Sequence, residues 1–203
     1  MGYTEVFSII KDITLAGAAC VTAYVAYTGL GKWQKELSGK ANFDVARELA
    51  KAVYALRDEI SYCRSPFTAG HEFPEGYNGG LGKHTPEEHG QAWAHVYSKR
   101  WEPVGKAMQA FDTATLEAEA LWGKEIKEKA KELKICVRSL QVDIESFINN
   151  KYSGGEDFKD KDFAKAVKYG IWDMKAEENE LTQRINKAIE DIESVIRPHL
   201  SRS

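Results

Sequence analysis

Four of the five histidines fall between positions 71 and 95, as His71, His84, His89 and His95, among Glu72, Glu75, Glu87 and Glu88. Imidazole and carboxylate at this density are the donors a divalent cation takes. Spacing narrows the set. His89 and His95, six residues apart, would point about 240° from each other on a helix. Glu88 and His95, seven apart, would share a face. The ligand set this allows is Glu88 and His95 from a helix, with His84 (or His71) arriving from the loop before it. A divalent metal is therefore the one cofactor the sequence suggests. No HExxH or ExxH signature accompanies these residues.

Other catalytic patterns fail on spacing. Gly79-Gly80-Leu81-Gly82-Lys83-His84 has the look of a phosphate-binding loop, but that motif needs Gly five positions before Gly82 and Ser or Thr after Lys83. Tyr77 and His84 stand in those places. Ser61, Ser65 and Ser98 lie near charged residues without a nucleophile elbow. Arg57, Asp58, Glu59 and Arg64 read as ion pairs along a helix or against the loop. No residue set presents itself as catalytic.

These residues sit in and beside residues 65–86, where five glycines and three prolines in 22 residues preclude a regular element. A loop of this length is usually functional or disordered. Its aromatics Phe67, Phe73 and Tyr77 argue for packing down on the body. A helix then opens at Thr85 as N-cap, with Pro86 in the first helical position and Glu87 and Glu88 in the first turn. Trp93, Tyr97 and Trp101 follow at i, i+4, i+8, a spacing that more often marks a core stripe than a ligand box. Pro103 is expected to kink or interrupt this helix. Together, Phe67, Phe73, Tyr77, Trp93, Tyr97 and Trp101 are the expected contact region for a protein partner.

Before the loop, residues 41–64 are amphipathic, with Ala46, Leu49, Val53, Leu56, Ile60 and Cys63 on one face. After the aromatic helix, residues 114–151 carry the heptad seam Ile126, Ala130, Leu133, Val137, Leu140, Ile144, Phe147. Residues 158–197 repeat the rhythm through Val167, Ile171, Met174, Leu181, Ile185, Ala188, Ile192 and Val195, with Glu178 at one seam position. Pro198 is expected to stop that helix. The short connection at 152–157 predicts an antiparallel, coiled-coil-like hairpin. Cys63 and Cys136 fall on apolar positions as packing residues.

The segment that organises the rest is 13–31, nineteen residues without a charged side chain. At about 1.5 Å per residue it covers roughly 28 Å, close to a hydrocarbon core. Lys32, Lys35 and Lys40 outweigh Glu36 beyond it, which by the positive-inside rule puts the following residues in the cytoplasm and the amino terminus outside. Tyr24, Tyr27, Lys32, Trp33 and Lys35 are the expected interface residues. Competing readings are a cleaved signal at Ala16-Gly17-Ala18, a lipoprotein signal ending at Cys20, and a buried core helix. The lipoprotein pattern departs at Gly17, where Leu is usual, and at Val21. Ala16 and Cys20, Ala19 and Ala23, and Ala18, Thr22 and Ala26 recur every four residues, the spacing of self-associating membrane helices.

Twenty-eight basic against 31 acidic residues give a net charge of −3, which excludes a dedicated nucleic-acid binder. The fold expected is all-α: an anchor over 1–33, then an elongated antiparallel bundle of three to four helices over 34–203. The function expected is a membrane-anchored interaction or scaffold protein, with an unidentified protein partner and the small-residue spacing pointing to a homo-oligomer. A metal-dependent enzyme or sensor using the cluster at 71–95, or an oligomerising membrane effector, are the alternatives.

Overall fold

The computed structural model describes residues 2–77, 82–174 and 177–200, and is helical with no strand among them. Five helices follow in order: α1 Tyr3–Cys63, α2 Pro86–Trp122, α3 Lys124–Tyr152, α4 Lys161–Ile171 and α5 Glu180–Leu200. Single 3-10 turns lie at Gly70–Glu72 and Glu156–Phe158. The chain forms two compact units, Met1–Asp44 and Val45–Ser203.

The first unit is the amino-terminal part of α1. The helix from Ile13 contains an 18-residue window of mean hydropathy 1.5, none of it buried, so it is long and apolar enough to cross a membrane. Thr22 and Thr28 donate their hydroxyls back to the carbonyls of Ala18 and Tyr24, at 2.8 and 2.9 Å, removing two polar groups from the helix surface.

The second unit has one core. Its α1 residues are Ala46, Leu49, Val53, Leu56, Ile60 and Cys63, all buried, and its α3 residues run from Ile126 through Leu133 and Leu140 to Phe147. Each large side chain hidden this way contributes roughly 1.5–3 kcal/mol. Cross-helix partners show the pairing. Glu119 meets Lys127 and Asp112 meets Lys134 between α2 and α3, while Glu132 meets Arg184 between α3 and α5. Gly90 explains itself by close approach: a methyl there would stand 2.3 Å from the Tyr152 ring.

Helix ends differ from the sequence expectation in three places. α2 runs through Pro103 to Trp122, and Gly123, at φ 83°, turns the chain into α3. Residues 114–122 therefore belong to α2. The missing hydrogen bond at Pro103 is outweighed by the stripe Tyr97, Val104, Phe111, which stays buried on both sides of it. The last expected helix is two helices, broken between Ile171 and Glu180. Met174 and Glu178, its least suitable seam residues, lie in the break, and the Asn179 side chain accepts from the Thr182 amide to start α5. Finally, α5 continues past Pro198 to Leu200.

Candidate functional site

The loop after α1 is held by one buried side chain. Arg100, on α2, donates Nε and Nη2 to the two carboxylate oxygens of Glu72, at 2.6 and 3.0 Å. It also donates to the carbonyls of Ser65 and Phe67, at 2.8 and 2.7 Å. The guanidinium holds the Glu72 carboxyl below its ordinary range. Fork geometry makes one arginine enough to order two turns of loop.

Beyond it the aromatics stack inward. Phe73 lies edge-on to Trp93 at 5.3 Å, Trp93 stacks on Tyr97, and both meet Phe147 edge-on. Tyr97 is 1% exposed and belongs to the core, whereas Phe67 is 84% exposed. Trp101 is half-buried and lines a furrow between α2 and α3.

The expected metal ligands are arranged differently from a chelating set. Glu88 completes the cap of α2: its Oε2 accepts from the Thr85 amide at 2.7 Å, and Thr85 Oγ1 accepts from the Glu88 amide at 3.2 Å. His84 Nδ1 stands 3.8 Å from the same carboxylate. The His84 ring stacks on Tyr77, whose hydroxyl lies 2.6 Å from His89 Nδ1. His95 is exposed on α2. Among the described residues no group of three His, Cys, Asp or Glu could hold a metal ion. Asn78, Gly79, Gly80 and Leu81 of the glycine-rich run lie outside the described residues.

A second buried arginine, unremarkable in sequence, directly precedes Ser65. Arg64 donates to the carbonyls of Gly170 and Tyr169 at 2.8 and 3.0 Å, and to the side chains of Thr182 and Asn179, both at 3.0 Å. Asp173 is 3.8 Å away. Arg64 therefore joins the end of α1 to the turn between α4 and α5, not to loop 65–86, whereas Arg57 pairs with Asp58 along α1. Beside this clamp is a polar depression of about 420 Å³ lined by Ser139, Asp143, Lys165, Tyr169, Asn179 and Arg184, among others. Burial pushes the Asp143 carboxyl up to about 6, against the pull of Arg64. Asp143 packs where Gly170 has no side chain; a methyl there would meet its carboxylate.

Cys63 and Cys136 are buried free thiols pushed up to about 11 by burial, as suits packing residues. In α1 the candidate interface residues Tyr24, Tyr27 and Trp33 are 69%, 81% and 61% exposed, and Lys32 and Lys35 are exposed beside them. Sequence reasoning missed the roles of Arg64, Arg100 and Asp143. The only local signal was a charged residue adjoining an apolar face. No protein-family model, curated protein or solved structure matches the chain.

Proposed function

We propose that this chain is a membrane-anchored interaction protein. Residues 13–31 cross a bilayer once, the residues before them lie outside, and the remainder forms an antiparallel helical bundle in the cytoplasm that receives a protein partner. The observation that carries the reading is the exposure of the apolar segment. Nine large apolar or aromatic side chains between Ile13 and Leu37 are 54–81% exposed, a surface that water disfavours and lipid accepts. The back-bonded hydroxyls of Thr22 and Thr28 and the Tyr–Lys–Trp cluster that follows suit a span and its headgroup boundary.

Fractionation tests it. The full-length protein should remain in the membrane pellet after alkaline carbonate and leave it only with detergent. Cys20, exposed on α1, should resist a membrane-impermeant maleimide until detergent is added. Recovery in the soluble fraction, or immediate labelling of Cys20 in intact membranes, would remove the anchor.

A further inference from the structure

We propose that the furrow between α2 and α3 docks an amphipathic helix of a protein partner whose polar edge is acidic. The inference rests on the interaction reading above and names the surface and the chemistry of its ligand. Two depressions, of about 380 and 210 Å³, share Trp101 and Gln141 and so form one furrow from Lys131 to Ile148. Seventeen helical steps at about 1.5 Å make it about 26 Å long, four to five turns of a docked helix.

Its floor is apolar. Val104, Val137 and Ile144 are buried beneath it, and Trp101, Met108 and Ile148 are packed against the core with part of their surface open. A half-buried Trp and a flexible Met are the side chains that anchor helical ligands. Gly105 widens one wall, where a Cβ would meet nothing within 4 Å.

Charge selects the occupant. Lys131 and Arg138 are exposed at one rim, seven residues apart on the same α3 face, and neither has an ion-pair partner among the described residues. Lys134 between them is paired with Asp112. At the far end Glu145 accepts a hydrogen bond from Gln141. The furrow therefore offers two unspent cations at one end and an acid at the other, which favours a helix with apolar residues at i, i+4, i+7 and carboxylates along the edge facing Lys131 and Arg138.

The test uses the full-length chain in neutral detergent and two labelled helical peptides, read by fluorescence anisotropy. One carries Leu at i, i+4, i+7, i+11 with Glu along one edge; the other has Lys for each Glu. The acidic peptide should bind the wild type. Lys131→Glu with Arg138→Glu should weaken it about tenfold or more and make the basic peptide the tighter ligand. Gly105→Trp, which fills the furrow at an open position, should block both peptides while the unfolding midpoint is retained.

Failure of the acidic peptide to bind, or binding indifferent to both variants, overturns the proposal. So does self-association of the wild type that Gly105→Trp abolishes, which would make the occupant a second copy. Binding of phosphatidylserine vesicles through Lys131 and Arg138 without peptide binding would make it a lipid surface. Partner cross-linking in membranes separates the two levels. A partner still recovered with Gly105→Trp leaves the interaction reading standing without this furrow; none recovered even with wild type removes that reading as well.

Discussion

Replacing Asp143 by Asn should stabilise the protein, and only above a definable pH. The Asp143 carboxyl lies against Gly170 in the polar depression, facing Arg64 from α1 and sharing the lining with Lys165, Glu180 and Arg184. Its ordinary value is 3.8, and burial raises it in the folded chain to about 6. Between those values the folded state holds a proton that the unfolded state has released, so stability falls as pH rises. At about 1.36 kcal/mol per pH unit the full penalty above pH 6 is roughly 3 kcal/mol. The depression is open to water, so screening reduces this to roughly 1–2 kcal/mol. Asn keeps the shape and never ionises.

The assay is urea unfolding of the full-length protein in neutral detergent, followed by tryptophan fluorescence at about pH 3, 5 and 7.5. Asp143→Asn and wild type should coincide near pH 3, below both values, and separate by roughly 1–2 kcal/mol near pH 7.5. The difference between the two chains is the readout. Glu72 and Glu193, both held below their ordinary range by arginine partners, tilt the absolute curves the other way: their contribution is present at neutral pH and lost as pH falls. A variant no more stable than wild type near pH 7.5, or a gap that persists near pH 3, refutes the reasoning.

Two further outcomes follow from the buried arginines. Arg64→Ala removes the buried donor to the Gly170 and Tyr169 carbonyls and to the side chains of Asn179 and Thr182, and should cost about 3–5 kcal/mol in the same urea assay. Arg64→Lys, with one point charge for a planar fork, should recover only part of that. Arg100→Ala should act locally: amides of residues 65–77 should exchange with deuterium faster by an order of magnitude or more, while those of α3 are little changed.

Much of the local structure was legible before folding was considered. The seam from Ile126 to Phe147 is buried residue for residue, and Thr85 caps α2 with Glu88 as the Thr-Pro-Glu-Glu order implied. The breaks were not legible to the same degree. Apolar period runs on across Gly123 and across Trp172 to Asn179, so a count of period alone joins helices that the backbone separates. The signs were present in single residues: a glycine between two apolar seams, and Met174 and Glu178 at seam positions that a core would reject. For the candidate ligands, helical spacing grouped Glu88 with His95, yet Glu88 is engaged by the Thr85 cap and His84 by the Tyr77 ring.

The amino-acid order alone determined an all-helical chain, an uncharged apolar segment ahead of an amphipathic one, and where several helices start. These follow from contacts within one helical turn, side chains three and four residues apart and caps that bond their own first turn. Tertiary structure decided where the chain reverses, which aromatics go inside and which charges are buried. Arg64 reaches acceptors 105 to 118 positions away. A guanidinium can leave water only where such acceptors converge, and convergence over that distance exists only in the folded chain. The furrow between α2 and α3, with Lys131 and Arg138 on its rim, is of the same kind: a surface made by two helices, visible in neither.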